Sequence, residues 1–322
     1  MRSVLRQLGV ALALFWVVLS LTFFLVRVAP GDPVSFLAPP AATAAELARL
    51  RASLGLDAPL AAQYGRWARE MFTGDLGTSF VAHRAVTSVL GDALPISLAL
   101  GGISLLLTFV IGVGIGAVQG AHRGTRVDGW LTVLTTTVYA APSFWLALSL
   151  IALFTYGAAR LGFPPWLRLP AFGVRDPAGS AGPLDLVRHA TLPVLTLTLV
   201  GAAGIARYAR GAAVELLQLQ WVRTAVAKGA PAIAVHARHV LANALPTLLI
   251  LFALSLPAVL AGSVFVETVF GWPGLGRLMV SSIFARDYPV VVGATVVYSA
   301  IVILANLAAD LALPLVDPRR RP

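Results

Sequence analysis

No cysteine occurs among the 322 residues, so neither a disulfide framework nor a thiolate metal site can be built from this chain. Charge is scarce as well: charged residues make up 12% of the sequence, against roughly a quarter in soluble domains. The sole lysine, Lys228, stands between Ala227 and Gly229. The Gly-x-x-x-x-Gly-Lys-Ser/Thr loop that cradles phosphates is therefore missing, and any ATP that drives this protein has to be held by another subunit. There is no His-Glu-x-x-His, and Gly77-Thr78-Ser79-Phe80-Val81 stops short of Gly-x-Ser-x-Gly, so neither hydrolase pattern assigns a catalytic residue. His236 and His239 sit three apart on one helix face, but no carboxylate or third ligand stands near them in the sequence and no metal site is assigned. The net charge of +10 is dispersed among loops and forms no basic stripe with interleaved aromatics, which argues against nucleic acid.

What the chain has in abundance is apolar surface: 58% hydrophobic residues and a mean hydropathy of +0.85. That composition predicts an all-α integral membrane protein. Apolar runs over Leu8–Val26, Ala93–Val118, Gly129–Tyr156, Thr191–Ile205, Leu245–Val266 and Val290–Leu313 give about six transmembrane helices, the fourth extended toward Arg188. Arg2 and Arg6 precede the first run, which competes with a signal peptide. Its length, and the lack of a small-x-small site before Ala29-Pro30-Gly31-Asp32-Pro33, favour a retained span. The centres of the six runs lack Asp, Glu, Lys and Arg, with Glu267 and Asp310 at predicted ends. Ion-coupled transport, which needs ionisable groups within the bilayer, is disfavoured. Gly112, Gly116 and Gly120, spaced four apart, would let a neighbouring helix approach one face closely.

Residues 1–28 thus form a tail and first span, 29–92 a small helical extracytoplasmic lobe, 93–314 the transmembrane core and 315–322 a tail. In the lobe, Thr43-x-x-Glu46 reads as a capping box opening a helix over 46–54 that Gly55 stops. A second helix over 60–72 follows Asp57-Ala58-Pro59, and Gly74-Asp75-Leu76-Gly77 turns the chain. With the N-terminus inside, the inner segments carry twelve basic and four acidic residues, and the outer ones twelve and ten. Loop charge of that asymmetry puts both termini in the cytoplasm and, with them, the polar stretch Trp221–Pro246.

That stretch predicts two short helices joined at Gly229, with Pro231 in the first turn of the second. Arg223, Lys228 and Arg238 supply charge, and Val222, Val226, Ile233 and Val240 can form apolar stripes. Such a hairpin can lie on anionic membrane lipid, fit a groove in a cytoplasmic partner, or merely connect two spans. At the other end of the next span, Phe270-Gly271-Trp272-Pro273-Gly274-Leu275-Gly276 has too many turn residues to continue a helix, so it folds as a re-entrant or surface cap. Its two readings are a tight connector with Trp272 at the membrane interface, and a gate or partner contact.

Four stretches carry a resemblance to a known family: Arg27-Val-Ala-Pro-Gly-Asp-Pro33, Gly74-Asp-Leu-Gly-Thr-Ser79, Arg223-Thr-Ala-Val-Ala-Lys-Gly229 leading to Asn243-Ala-Leu-Pro246, and Val266-Glu-Thr-Val-Phe-Gly-Trp-Pro-Gly-Leu-Gly276. In this order they resemble the B-type permease subunit of bacterial dipeptide, oligopeptide and nickel ABC importers. The resemblance implies the ABC importer permease fold in the bacterial inner membrane, with residues 207–246 as a cytoplasmic hairpin seated in an ATPase subunit. It implies ATPase coupling through Trp221, Arg223, Thr224, Ala225, Lys228 and Gly229; Asn243, Pro246 and Pro142 are hairpin or pathway candidates, and Asn243, Pro142 and Pro257 can mark bends near the pathway. Glu267, Gly271, Trp272, Pro273 and Gly274 become gate or cap candidates. The implied partners are a second homologous permease subunit, two ATP-binding cassette subunits that hold ATP and Mg, an extracytoplasmic solute-binding protein or lipoprotein, and membrane lipid. No cofactor is expected on this chain, and dipeptides, longer peptides, nickel chelates and glutathione all stay open as solutes. Val226 and Ala242 stand where arginines are common, so the docking face is less basic than usual. The competing class is a self-sufficient carrier or channel.

Overall fold

Helix α1 (Arg2–Val28) opens a computed structural model that describes residues 2–28, 34, 38, 41–176, 182–231 and 234–316. Ala29–Pro33 of the first resembling stretch, Ile233 and the C-terminal tail from Asp317 onward lie outside the described residues. Its further α-helices are α2 (Ala44–Ser53), α3 (Leu60–Thr73), α4 (Val86–Ala121), α5 (Arg126–Ala140), α6 (Ser143–Ile151), α7 (Pro183–Leu216), α8 (Gln220–Ala227), α9 (Ala242–Val269), α10 (Leu275–Phe284) and α11 (Tyr288–Val316).

Four of these are long and apolar enough to cross a membrane singly: α1 over Leu8–Val28, α4, α7, and α11 over Tyr288–Ala308. The third expected run is not one straight span. It breaks into α5 and α6, whose axes meet at 103°. The cause is local, because the ring of Pro142 disfavours the helical conformation at Ala141, which is extended at φ −73°, ψ 130°. Taken as one span, the pair makes a fifth crossing. The fifth expected run is helical over Ala242–Val269 with Pro246 and Pro257 inside it, its described apolar part reaching from Ala242 to Pro257. The fourth, expected to be short, is the 34-residue α7, about 51 Å long and so longer than the roughly 30 Å of hydrocarbon. Arg207, Arg210 and Glu215, which lie beyond the expected run Thr191–Ile205, therefore belong to the helix.

Packing divides the chain into two units, residues 1–96 with 277–303, and residues 97–276 with 304–322. In the first unit, Thr43 and Glu46 form the expected capping box, Gly55 follows α2 at φ 66° and Gly74 caps α3 at φ 77°. Helix α3 is not a free-standing lobe element, since it lies along α1. Trp16 stacks on Phe72 with ring centroids 4.9 Å apart, Phe23 meets Trp67 at 5.0 Å, and the Ser20 and Tyr64 hydroxyls share a hydrogen bond of 2.8 Å. Asp287, just ahead of α11 and 2% exposed, accepts from the Ser79 hydroxyl and from the backbone N–H groups of Phe80 and Val81. Its carboxylate thereby fixes the loop that follows Gly74–Ser79.

In the second unit the glycine face of α4 meets α7. A Cβ added to Gly112 would lie 2.8 Å from that of Ile205, one on Gly116 2.5 Å from the Ala206 carbonyl oxygen, and one on Gly120 2.5 Å from the Ala213 Cβ. These backbones are as close as side chains permit. Arg207 of α7 covers the Tyr139 ring of α5 at 4.7 Å, and one turn on, Arg210 grips Asp128 of α5.

Candidate functional site

The polar knuckle after α7 begins with a three-residue turn, Leu217–Leu219, and leads straight into α8. Val222 is its anchor, 1% exposed and packed into the unit. Around that anchor, Trp221, Arg223, Thr224, Val226 and Lys228 are exposed and Ala225 is half-buried. The end of α8 is fixed by backbone alone: Gly229 sits at φ 82°, its N–H donates to the Val226 carbonyl at 2.9 Å, and the Ala230 N–H donates to the Ala225 carbonyl at 3.1 Å. This is the doubly bonded left-handed termination that glycine permits without a Cβ penalty. No atom lies within 4 Å of a Cβ built on Gly229, so the space beside it is open. Residues 216–231 contain two cations and no acidic side chain.

The hairpin's second limb differs from expectation. The Val235 N–H donates to the Pro231 carbonyl at 3.0 Å, and from Ala234 the described chain is helical, running through a widened segment over Val235–Leu241 and continuing without a break into α9. Nothing between Leu241 and Ala242 ends the helix, so Asn243 and Pro246 lie inside α9 rather than at the end of a hairpin. Pro246 has no N–H to give the Ala242 carbonyl, and the widened turn just before it is the adjustment commonly seen around such a gap. Of the expected stripe, Val222 and Val240 are buried and Val226 is 56% exposed. Pro142 lies at the α5–α6 bend, away from the knuckle in sequence.

At the far end of α9, Glu267 has no exposed surface. Its carboxylate accepts from the Ser97 hydroxyl at 2.6 Å and from the Gly276 N–H at 2.8 Å, while the Ser97 oxygen accepts from the Leu275 N–H at 2.7 Å. The turn between them is compact: Gly271 has φ 63°, the Trp272 N–H donates to the Glu267 carbonyl at 2.8 Å, and the Gly173 N–H donates to the Phe270 carbonyl at 2.9 Å. A Cβ on Gly274 would fall 2.5 Å from both the Glu267 carboxylate and the Ser97 oxygen. Glu267, Gly271, Trp272, Pro273 and Gly274 come together at this turn as expected, and Trp272 is 5% exposed and thus buried. Phe270 and Leu275 beside it are buried too, because the turn folds back over its own helix end.

Sequence reasoning missed Ser97, which lies 170 residues from its partner, and the Asp128–Arg210 pair. Arg210 Nε and Nη2 reach the two Asp128 oxygens at 2.8 Å each, and the Gly124 N–H adds a third bond at 3.0 Å. The one available signal was Thr125-x-x-Asp128, whose Thr side chain caps α5. Among the described residues no three His, Asp or Glu side chains group to hold a metal.

Residues 112–322 match the family model described as the inner membrane component of binding-protein-dependent transport systems, and residues 1–101 match the model of its N-terminal part. The oligopeptide transport system permease protein AppB of Bacillus subtilis is 34% identical over 300 residues, covering 93% of this chain and 92% of that one. A probable D,D-dipeptide transport system permease protein of Escherichia coli, DdpB, is 36% identical, covering 98% and 97%. A chain of the MetNI methionine ABC transporter in an inward-facing crystal form superposes with a TM-score of 0.54 at 18% identity, over 72% of this chain and 97% of that one.

Proposed function

Since the chain belongs to the family of binding-protein-dependent transport system inner membrane components, we propose that it pairs with a second permease subunit to form the pathway of a peptide importer, coupled to its ATPases through α8. It is a membrane-embedded transport subunit, not an enzyme and not a self-sufficient carrier or channel. Peptide as the solute class rests on the names of its relatives. Both termini and the knuckle lie in the cytoplasm in this reading, which the loop charge supports. A solute-binding protein on the opposite side delivers the solute.

The observation that carries the coupling is the geometry of α8. A short helix fixed by one buried residue, Val222, and closed by a rigid glycine turn presents its other face outward. Such an element can seat in a partner's groove and pass on a displacement without absorbing it. Arg223 and Lys228 meet acidic groups of the ATPase, and Ala225 and Gly229 allow close approach. Glu267, Ser97 and the Phe270–Gly276 turn act as the outer cap, Pro142 and Pro246 as bends along the pathway.

Reconstitution tests this. Peptide uptake into proteoliposomes should require ATP, both ATPase subunits, the second permease and the binding protein, with no flux through the purified chain alone. Replacing Gly229 by Trp should leave the complex assembled but separate ATP hydrolysis from uptake. Unaided flux by this chain, or unchanged coupling in G229W, would overturn the assignment.

A further inference from the structure

Within the first unit, the ends of α1 and α2, helix α3, the 76–83 loop and the start of α11 line an open cavity of about 610 Å³ that the transport reading leaves without a role. Three of its wall side chains each hold a buried polar atom with no hydrogen-bond partner: Arg27 Nη1, Gln63 Oε1 and Trp67 Nε1. Buried polar atoms without partners are uncommon, because each forfeits the hydrogen bonds it would make to water. Three in the wall of one cavity call for a common explanation.

The chemistry of the set is specific. Arg27 and Trp67 offer N–H donors and Gln63 offers an acceptor. Among the described residues Arg27 faces no carboxylate within ion-pair distance, and its guanidinium carbon lies 4.8 Å from the centroid of the Phe23 ring. Arg66 and His83 stand in the same wall and Glu70 is its one acid, so the lining is electropositive at neutral pH. Phe23 and Tyr288 supply apolar cover. Arg27 also follows the last apolar turn of the first span, the level at which a long cationic side chain meets headgroups.

We propose that this cavity is a binding site for an oxyanion, a phosphate or carboxylate, neutralised by Arg27 and hydrogen-bonded by the Trp67 indole, with Gln63 accepting from a donor group carried by the same ligand. Two sources share this chemistry, a phospholipid headgroup and a small soluble anion. The inference is independent of the solute transported.

Full-length protein in phosphatidylcholine nanodiscs doped with phosphatidylglycerol, followed by native mass spectrometry, counts the anionic lipid retained. In a second arm, calorimetry titrates inorganic phosphate and N-acetylalanine into the same protein. In one arm or the other, Arg27→Gln should weaken binding by about tenfold or more, the scale of a lost charge-assisted hydrogen bond. Trp67→Phe, which keeps the ring contacts with Phe23 and Tyr64 and removes only the N–H, should weaken it several-fold and keeps the test valid if Arg27→Gln folds poorly. Retention of phosphatidylglycerol that depends on these residues assigns the headgroup, and binding of the small anions assigns a soluble ligand. The proposal falls if no probe binds the wild-type protein, or if binding is the same in both variants.

Discussion

Cutting the Asp128–Arg210 link should weaken the second unit by a magnitude that its geometry sets. Asp128 is 4% exposed, whereas the Arg210 side chain is 35% exposed. Removing one partner of a fully buried pair costs about 3–5 kcal/mol because the other charge is left unpaired. Water reaches Arg210, which reduces the loss, and Asp128 retains the Gly124 N–H, so Arg210→Gln should cost about 2–3 kcal/mol. Asp128→Asn should cost a similar amount. The double variant should lose less than the sum of the two, with a coupling energy of about 1–2 kcal/mol. Exchanging the two residues should not restore stability, since an arginine at 128 cannot accept the Gly124 N–H. The assay is reversible denaturant unfolding in mixed micelles, monitored by circular dichroism on both singles and the double. Single-variant losses below about 0.5 kcal/mol, the range of exposed ion pairs, would refute the claim that this pair is a buried tie.

Three further outcomes follow from the same contacts. Gly116→Leu would place a side chain 2.5 Å from the Ala206 carbonyl oxygen and the Ala209 Cβ, so α4 and α7 must separate, and a stability loss of about 3 kcal/mol or more is expected in the same unfolding assay. Glu267→Ala should free the Leu275–Gly276 backbone, seen as faster amide hydrogen exchange at those two residues, while Ser97→Ala should do so at Leu275 and leave Gly276 held. In the capping box, the Thr43 N–H and hydroxyl hydrogen-bond the Glu46 carboxylate and lower its pKa. A folded pKa below the unfolded one means that the stabilisation is complete above the unfolded value, about 4.3, and is lost as pH falls through the folded value. Fraying at the start of α2 should therefore grow below about pH 4 in the native protein, by NMR secondary shifts, and be independent of pH in Glu46→Gln.

Features set by neighbours in the chain were legible in the sequence. Thr43 and Glu46 sit three apart, Gly55, Gly74 and Gly229 stand where helices stop, and the four-residue glycine spacing of α4 foretold a closely packed neighbour, which the structure shows to be α7. Features made by distant residues were not. Glu267 reads as a helix-end acid until Ser97 and the Gly276 N–H surround it, and the burial of Trp272 emerges only when the turn folds back over the helix end. The lengths of α7 and α9 were underestimated for a different reason. Polar residues such as Arg207 and Arg210 lower the hydropathy without ending the helix, and Pro246 closed the expected hairpin although the helix runs through it.

Helix α7 joins the knuckle through a turn of only three residues and crosses α4 where glycines leave no slack. Those two facts make α7 a lever with its fulcrum at the crossing. For a rod about 51 Å long, a tilt of about 5° shifts one end against the other by about 4 Å. In the proposed coupling, a small push at Trp221 becomes a displacement of that size at the opposite end of α7.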